Sequence, residues 1–492
     1  MSESEKYFLK FRENIIGIDA TFNSPFGRQA IIYADWIASG RMYGIIEERI
    51  SSSFGPSVGN THTGTSFTGS HTTHCYHFAQ QKIKQHVNAG PGDLIITAGS
   101  GMTSVVNKLQ RILGLRGCGY MINKRCLRKR EKPVVFITHM EHHSNHTSWY
   151  ETFVDVVLIK PGKDLLVEPE HLRDELEKYS DREFKIGAFT ACSNVTGIKT
   201  PYHRLASLMH EYGGVCFVDF AASAPYADIN MHPEDPMEKL DAVYFSPHKF
   251  LGGPGSSGVL VFDASLYDRK MPDDSGGGTV DWTNPWGKYK YIDDIEARED
   301  GGTPGFLQAI RTALAIELKN SMGTPAIEKR ENEIVRMVFD GLRRVKGIKI
   351  LASETESRLP VFSFYHPDIH YNLFVRILSD RYGIQARGGC ACAGTYGHFL
   401  LEVSHRKSRE ITRRINYGDL STKPGWVRLS LHPTTTNREI GFIIDAVSDI
   451  VDNIGSLSAQ YKYSLHRNEF VHVSFPELSG NSVGHLFCLD SL

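Results

Sequence analysis

A lysine stands just after a short apolar run near the middle of the chain. The run covers residues 242–245, and Ser246, His248 and Lys249 follow it, ahead of a glycine-rich stretch at 252–255. This order predicts a buried strand that ends beside an amine, a hydroxyl and an imidazole. Burial disfavours the ammonium form, so an amine held there loses its proton readily and can attack an aldehyde. Pyridoxal phosphate (PLP) is the aldehyde that enzymes use most, and it also needs a phosphate site and a carboxylate for its ring nitrogen.

Asp219 is the candidate carboxylate. It ends the apolar run 215–218 and lies 30 residues before Lys249, with one predicted strand between them. A carboxylate at a strand end can bind the protonated pyridine nitrogen and keep the ring an electron sink. An isolated aspartate of this kind is more often a helix cap or a turn residue. Its position relative to Lys249 favours the cofactor role.

A glycine loop supplies the candidate phosphate site. Gly101, Met102 and Thr103 follow a predicted strand at 94–97 and open a predicted helix at 105–113. Backbone N–H groups at a helix start, with hydroxyls beside them, bind phosphate. Many strand-to-helix turns share this composition. The loop therefore indicates a phosphate site only together with the hydroxyl and imidazole that precede the lysine.

His142 and Asn194 each follow a further predicted strand, one ending at residue 138 and the other at 190. An imidazole at that edge can stack on a cofactor ring and transfer protons. An asparagine amide there can donate to an oxygen on the ring. Taken alone, each residue fits an ordinary core histidine or a turn equally well.

The segment 387–394 places Arg387, Cys390 and Cys392 among glycines and alanines. A thiolate is nucleophilic where it is exposed and close to positive charge, so this loop predicts a reactive cysteine. A zinc site is the alternative, but Cys-x-Cys without a second pair rarely binds zinc. A cluster at 71–77 with three histidines and one cysteine fits one face of a helix. No metal site is predicted.

Arg428 stands inside a predicted strand at 426–431. A guanidinium in that position suits bidentate capture of an amino-acid carboxylate. A surface salt bridge is the alternative interpretation.

The stretch from about residue 90 to 262 alternates short apolar runs with amphipathic helical spacing. Continuous apolar strands separated by helices predict an α/β fold with a mostly parallel sheet covered on both faces. Ligands of such sheets bind at the carboxyl ends of the strands. The predicted strands are 94–97, 134–137, 154–159, 186–190, 215–218, 242–245 and 259–262.

A glycine- and proline-rich, loop-like region at 263–305 separates this part from a second, smaller α/β unit. Its predicted elements are a helix at 325–346, strands at 361–364 and 426–431, and a last helix at 437–453. The chain then divides into an N-terminal arm (1–45), a large PLP-binding domain (46–325), a small C-terminal domain (326–455) and a tail without an assigned role (456–492).

Composition excludes several classes of function. The 492 residues are 41% hydrophobic and carry a net charge of −1, which argues against a nucleic-acid or membrane-surface role. No apolar stretch approaches the ~20 residues of a membrane span. The start lacks a secretion signal, and the eight cysteines form no disulfide framework, so we expect a cytoplasmic protein. A basic insertion at 116–132 is predicted as a solvated loop, with a docking patch for an acidic partner as the alternative.

Taken in order, these residues resemble the class V aminotransferase-fold PLP enzymes. The pattern is most similar to that of the group II cysteine desulfurases, which are related to selenocysteine lyases and to the N-terminal domain of molybdenum cofactor sulfurases. The similarity covers about residues 30 to 450 of the chain. Its motifs are Tyr33-Ala34-Asp35, Asn60-Thr61-His62, the Gly101 loop, Glu141-His142-His143, Ser193-Asn194, Asp219, Ser246 to Lys249, Gly276 to Thr279, Gly302-Thr303-Pro304, Arg387 to Cys392, and Arg428.

The resemblance implies a PLP-dependent transferase of fold type I, with a mostly parallel seven-stranded sheet in the large domain. It also implies a homodimer, in which Thr279 reaches the phosphate held by the neighbouring subunit. By the same resemblance, Lys249 joins PLP covalently, His142 stacks on its ring, and Asn194 and Asp219 hold the ring oxygen and nitrogen. The phosphate is bound by Met102 and Thr103 of the Gly101 loop together with Ser246 and His248. The substrate is bound by Arg428, Arg387 and His62.

The activity implied by the resemblance is conversion of L-cysteine to L-alanine. Cys392 then takes the sulfur as a persulfide and passes it to an acceptor protein, and Lys249 and His142 are the other catalytic residues. The sequence leaves open whether Cys390 takes part. One alternative is another class V enzyme acting on an amino acid: an aminotransferase, an epimerase or a carbon–sulfur lyase. A second is an adaptor without PLP, against which the intact Lys249 and Asp219 argue.

Three positions depart from the family pattern. Ala222 replaces the usual glutamine after the ring-binding aspartate, Ser104 replaces a frequent glutamate of the phosphate loop, and Thr63 replaces an arginine. One hydrogen bond to the ring is therefore missing. These departures bear on the substrate more than on PLP binding.

Overall fold

Strands and helices alternate along most of the chain, and seven of the strands assemble into one central sheet. The computed structural model describes residues 1–117, 130–475 and 483–489. The helices are α1 Glu3–Arg12, α2 Gly44–Glu48, α3 Phe67–His86, α4 Met102–Ile112, α5 His143–Tyr150, α6 Pro169–Lys178, α7 Tyr202–Glu211, α8 Ile295–Glu299, α9 Phe306–Met322, α10 Thr324–Leu342, α11 Tyr371–Tyr382, α12 Gly394–Leu400, α13 His405–Asn416 and α14 Asn437–Ser458. Within those ranges, no helix combines the length and the apolar character that a bilayer crossing requires.

The strands are short and mostly apolar. They are β1 Thr21–Ser24, β2 Gly27–Ala30, β3 Ile32–Tyr33, β4 Asp93–Ala98, β5 Val134–Ile137, β6 Asp155–Leu158, β7 Lys185–Thr190, β8 Val215–Asp219, β9 Ala242–Phe245, β10 Gly258–Asp263, β11 Val280–Thr283, β12 Tyr289–Tyr291, β13 Lys349–Ile350, β14 Val361–Tyr365, β15 Ile384–Gln385, β16 Arg387–Gly389, β17 Trp426–Ser430, β18 Tyr461–Ser464 and β19 Glu469–His472. The seven strands predicted for the large domain all form, with bounds shifted by one residue at most.

The central sheet has the strand order β4-β10-β9-β8-β7-β5-β6. Six strands are parallel, and β10 is antiparallel to both of its neighbours. Alternate side chains enter two apolar cores: Phe136 and Val243 pack with α6 and α7 on one face, and Ile137 and Tyr244 pack with α4 on the other. Helices on both faces explain why these strands are continuously apolar. The predicted mostly parallel seven-stranded sheet is confirmed.

A second sheet belongs to the C-terminal part of the chain. Its four strands are antiparallel in the order β13-β14-β17-β16. Helices α10, α11 and α14 pack against it around Phe362, Phe364 and Val427. The predicted helices exist with different ends, since α10 stops at Leu342 and α14 continues to Ser458.

The N-terminal segment 1–45 makes contacts with both parts of the chain. β3 pairs in parallel with β15, and Asp35 pairs with Ser430 at the end of β17. The amide of Gly40 donates to the carbonyl oxygen of His248 at 2.9 Å, which ties the segment to the loop after β9. A Cβ at Gly40 would lie 1.9 Å from the backbone oxygen of Phe250, so only glycine permits this approach. The segment is thus built into both units, and the four domain boundaries stay predictions.

Two regions contain regular structure that the sequence pattern did not indicate. The loop-like stretch 263–305 holds the hairpin β11–β12 and the short helix α8, and the tail after residue 456 holds the hairpin β18–β19. Contacts with distant residues stabilise the second hairpin, as where Asn468 Nδ2 donates to Tyr371 Oη at 2.8 Å. Contacts between residues far apart in the sequence produce no local hydrophobic pattern, so the sequence did not predict this hairpin. Most of the basic insertion at 116–132 lies outside the described residues.

Candidate active site

A cavity of about 200 Å³ opens at the carboxyl end of the central sheet. Its walls come from the segments that follow β4, β5, β7, β8 and β9, as expected for parallel strands. Strand β17 and the loop between β16 and α12 close it from the small-domain side. The predicted residues that line it are Met102, Thr103, His142, Asn194, Asp219, Ser246, His248, Lys249, Arg387, Cys392 and Arg428.

Lys249 lies at the end of a short 3-10 turn, Pro247–Lys249, that follows β9. Burial lowers the pKa of its amine from 10.5 to about 8. Asp219 opposes this shift, whereas the positive charges of Arg428 and Arg387 add to it. The amine therefore loses its proton far more readily than an exposed lysine, which is what a nucleophilic or basic amine requires.

Asp219 is the last residue of β8 and is buried. Burial raises the pKa of its carboxyl group to about 6, although the amide of Ala221, which donates to Oδ1 at 2.8 Å, and the charge of Lys249 both lower it. At neutral pH the group is an anion inside an otherwise cationic cavity. It can pair with a protonated ring nitrogen.

The first turn of α4 lies at one end of the cavity, where Met102 and Thr103 line it. The amide of Met102 donates to Ser246 Oγ at 2.9 Å, which fixes the loop against the end of β9. A Cβ on Gly101 would lie 3.1 Å from both Ser246 Oγ and the ring of His248, so glycine lets the loop close against them. An eleven-residue helix presents its positive dipole end here, which favours a phosphate group.

His142 precedes α5 and is neutral. The amide of Ser144 donates to its Nδ1 at 3.2 Å, so the ring proton is on Nε2. Burial, together with the nearby charge of Lys249, lowers the pKa of His142 to about 3. A neutral imidazole on the cavity wall can cover an aromatic ligand without adding charge.

Arg387 and Arg428 are register partners on β16 and β17. Two like charges in that arrangement repel each other, and Asp35 lies between them. Its Oδ1 accepts from Nη2 of Arg428 at 2.6 Å, and its Oδ2 accepts from Nε of Arg387 at 3.1 Å. Among the described residues the buried Nε of Arg428 has no hydrogen-bond partner, which leaves a donor for a ligand carboxylate.

Cys392 is exposed on a strained turn between β16 and α12. Ala391 and Cys392 have φ angles of +50° and +57°, and the amide of Ala393 donates to the carbonyl oxygen of Cys390 at 3.0 Å. This matches a type I′ turn, which favours Asn and Gly, and the left-handed region costs other residues about 1–2 kcal/mol each. The amide of His143 holds the turn by donating to the Cys392 carbonyl at 2.8 Å. The strain presents a thiol at the mouth of the cavity.

Asn194 connects this turn to the sheet. Its Nδ2 donates to the carbonyl oxygen of Ala391 at 2.7 Å, while its buried Oδ1 has no partner in the described part of the chain. One N–H of the amide remains for the predicted bond to a ring oxygen. Ala222, where a glutamine was expected from the family pattern, also lines the cavity.

His62 and Thr279 lie outside this cavity. His62 borders a separate hollow together with His77 and Asp300. Thr279 is buried and donates through Oγ1 to the carbonyl oxygen of Gly276 at 2.6 Å. The chain does not bring either residue to its own Lys249, so their roles stay predictions.

Four further residues shape the site although sequence reasoning gave them no role. Asp35 positions the arginines, and Thr190 and Cys192 line the cavity. Glu141 accepts from the amide of Thr190 at 2.9 Å and joins the end of β5 to β7, and burial raises its pKa to about 8. Asp35 and Glu141 are acidic residues next to apolar runs, and that position was the sequence feature that could have indicated their roles in the site.

The histidine cluster at 71–77 lies on α3, as its spacing predicted. His71 Nδ1 is 2.9 Å from Ser57 Oγ and 3.8 Å from Cys75 Sγ. Within the ranges that the structure covers, no group of three His, Cys, Asp or Glu side chains is arranged to hold a metal ion.

This fold and its lysine-centred, cationic cavity are those of an α/β enzyme whose candidate site lies at the carboxyl edge of the sheet. The family model for class-V aminotransferases matches residues 32–442. The chain belongs to the class V aminotransferase family.

Curated relatives and solved structures agree with this assignment. Proteins named "Probable cysteine desulfurase" are 27% identical over 368 residues in Halalkalibacterium halodurans (74% of this chain, 84% of the relative) and 28% identical over 342 residues in Staphylococcus epidermidis (68% and 76%). A cysteine desulfurase from Thermococcus onnurineus has a TM-score of 0.69 at 22% identity, covering 86% of this chain and 95% of its own. One from Escherichia coli has a TM-score of 0.69 at 20% identity, covering 90% and 98%. These structures share the fold.

The Asp219→Asn variant tests the charge coupling at the lysine. The Asp219 carboxylate raises the pKa of Lys249, so its loss should move that pKa below its present value of about 8. The measurement is the pH profile of borohydride trapping of a small aldehyde on Lys249, read by mass spectrometry. Its midpoint should shift to lower pH, whereas Asp263→Asn, at the end of antiparallel β10, should leave it in place. An upward shift would contradict the coupling.

The Asp35→Ala variant tests the arginine pair. Removing one partner of a buried ion pair leaves Arg428 uncompensated and facing Arg387, so the free energy of unfolding should fall by about 3–5 kcal/mol. Urea denaturation measures the loss. The exposed Asp19→Ala variant is the control and should change stability by no more than about 0.5 kcal/mol. Equal losses in both variants would exclude a special role for Asp35.

Proposed function

We propose that this protein is a PLP-dependent cysteine desulfurase, which converts L-cysteine to L-alanine and takes the sulfur onto Cys392. The observation that carries the proposal is that a lysine of lowered pKa and an exposed cysteine on a strained turn border one cavity. The names of the curated relatives support it.

The residues of the cavity fit PLP. The start of α4 with Ser246 and His248 suits its phosphate, and Asp219 suits its ring nitrogen. The buried, unpartnered Oδ1 of Asn194 and Nε of Arg428 are polar atoms that a bound ligand would satisfy. When bound, PLP supplies an aldehyde that joins an amine and a ring that draws electrons from the substrate Cα.

The chain's own groups bind the substrate and move its protons. The Nε of Arg428 binds the carboxylate of the substrate, and Asp35 holds the guanidinium in place. The amine of Lys249, with a pKa of about 8, takes the proton from the substrate Cα. His142 stays neutral and covers the site, which limits access of water.

Cys392 then takes the sulfur. Its thiolate attacks the sulfur of the substrate, a sulfur–sulfur bond forms and the carbon–sulfur bond breaks. The electron pair stays with the carbon, which takes up a proton, and alanine leaves. Cysteine plus a thiol thus gives alanine plus a persulfide, so no external oxidant or reductant is required.

The Cys392→Ala variant tests this assignment. The variant should retain the yellow colour of bound PLP because Cys392 does not hold the cofactor, but sustained alanine formation from cysteine should fall by about 100-fold or more. Alanine, pyruvate and sulfide are measured together in the presence of a reductant. The exposed Cys488→Ala is the matched control and should behave as the native protein. Unchanged alanine formation would remove Cys392 from the mechanism, and pyruvate in place of alanine would identify a carbon–sulfur lyase.

The enzyme acts as a homodimer in the cytoplasm, where a reducing environment suits its thiol chemistry. Three motif segments support a dimer: residues 60–62, 276–279 and 302–304. They contact one another but do not line the cavity that contains Lys249 of the same chain. Thr303 Oγ1 donates to Asn60 Oδ1 at 3.1 Å, and the ring of His62 lies 3.5 Å from the Cβ position of Gly278. This cluster is available to a second subunit's cavity.

Sedimentation equilibrium tests the dimer. The mass should be twice that of the 55.2 kDa chain, because the proposed site is completed by a second copy. The Lys249→Ala variant serves as the control, since loss of the amine should not change the mass. A stable, active monomer would contradict the proposal.

A further inference from the structure

A second hollow shares the cysteine turn with the cavity. We name it the exit groove; it has a volume of about 630 Å³ and is open to solvent. Arg387, Ala391 and Cys392 line both hollows, whereas Cys390 lines the exit groove and not the cavity. The turn thus borders both hollows, and Cys392 lines each of them. The other residues of the exit groove are Tyr371, Asn372, Val375, Arg376, Ser379, Gln385, Ala386, Gly388, Gly389, Leu420, Lys423, Arg467, Asn468, Glu469 and Phe470.

The outer wall of the exit groove is the hairpin β18–β19, which lies beyond the region that the family model matches. Hydrogen bonds attach this hairpin to the first turn of α11, which also lines the groove. Asn468 is buried, its Nδ2 donates to Tyr371 Oη at 2.8 Å, and its carbonyl oxygen accepts from Asn372. Tyr371 in turn donates to the carbonyl oxygen of Lys423 at 3.2 Å. The wall is therefore a fixed part of the fold.

The exit groove is positively charged. Four cationic side chains line it against one carboxylate: Arg376, Arg387, Lys423, Arg467 and Glu469. Asp380 pairs with Arg376 and Asp35 pairs with Arg387, and neither carboxylate lines the groove. Such a surface attracts an acidic partner and accelerates its encounter.

We propose that the exit groove docks the sulfur acceptor, and that this acceptor is a protein that presents a cysteine within an acidic segment. The inference rests on the proposed function. The volume exceeds what a single small thiol would fill, and a lining that combines cationic side chains with the aromatic rings of Tyr371 and Phe470 suits an extended peptide segment. Because substrate and acceptor bind in different hollows, one does not need to leave before the other binds.

The transfer step is balanced. The thiolate of the acceptor attacks the outer sulfur of the Cys392 persulfide and forms a new sulfur–sulfur bond. The old sulfur–sulfur bond breaks, and Cys392 leaves with the electron pair as a thiolate. The acceptor becomes a persulfide, and no further oxidant or reductant takes part.

The test compares three synthetic peptides of equal length with the PLP-loaded enzyme. Each has one cysteine, flanked by acidic, uncharged or lysine residues. The acidic peptide should sustain alanine formation about tenfold faster than the lysine peptide and should carry the persulfide, as read by mass spectrometry. This advantage should shrink as the salt concentration rises.

Charge reversal in the exit groove completes the test. The double variant Lys423→Glu and Arg467→Glu should reverse the preference, while alanine formation with dithiothreitol stays unchanged. Lys462→Glu, on the same hairpin but outside the groove lining, is the matched control and should keep the preference. If the double variant does not fold, the test is the native protein alone, for which the rate advantage of the acidic peptide should fall as the salt concentration rises.

Two outcomes would overturn the inference. Equal rates with all three peptides at low salt would mean that the groove does not select an acidic partner. A preference that survives charge reversal in a folded variant would place the acceptor elsewhere. If the native enzyme makes no alanine even with dithiothreitol, the proposed function itself fails, which separates that failure from failure of the docking site.

Discussion

The burial of a single amine is the interaction on which this structure depends. Placing Lys249 at the end of β9 removes it from water and lowers its pKa to about 8, and the anion of Asp219 on the neighbouring strand keeps the shift from going further. Parallel strands make this arrangement possible because their carboxyl ends meet at one edge. The first turn of α4, the neutral imidazole of His142 and the amide of Asn194 line the same cavity from that edge.

The same cavity must also tolerate two arginines on adjacent strands. Asp35, from the N-terminal segment, accepts hydrogen bonds from both guanidinium groups. Its negative charge reduces the repulsion between the two arginines, so both can lie beside the cavity. The strained turn at Ala391 and Cys392 lines the same cavity, and the amides of His143 and Asn194 hold it. The N-terminal segment, the central sheet and the small C-terminal sheet therefore all contribute to a cavity that Cys392 and Lys249 both line.

Much of this could be predicted locally. Runs such as Val134–Ile137 and Ala242–Phe245 are strands because continuous apolar residues must be covered on both faces, and Lys249 and Asp219 follow from their positions at strand ends. The hairpin β18–β19 was missed because a long-range bond through Asn468 stabilises it, and Asp35 was given no role because its partners lie more than 350 residues away. His62 lies outside the cavity of its own chain, and Thr279 was assigned to the phosphate of a neighbouring subunit, so the roles of both residues stay predictions.

The sequence by itself determined the strands and the order of the motifs, and it indicated Lys249, Asp219 and the cysteines of segment 387–394 as candidates for the chemistry, because each is encoded by short-range pattern and residue type. Only the tertiary structure decided that Asp35 lies between the two arginines, that Cys392 lines two hollows, and that the C-terminal hairpin forms the wall of the second. Those facts depend on packing between segments distant in sequence. Burial and charge balance among such segments arise only when the chain is folded.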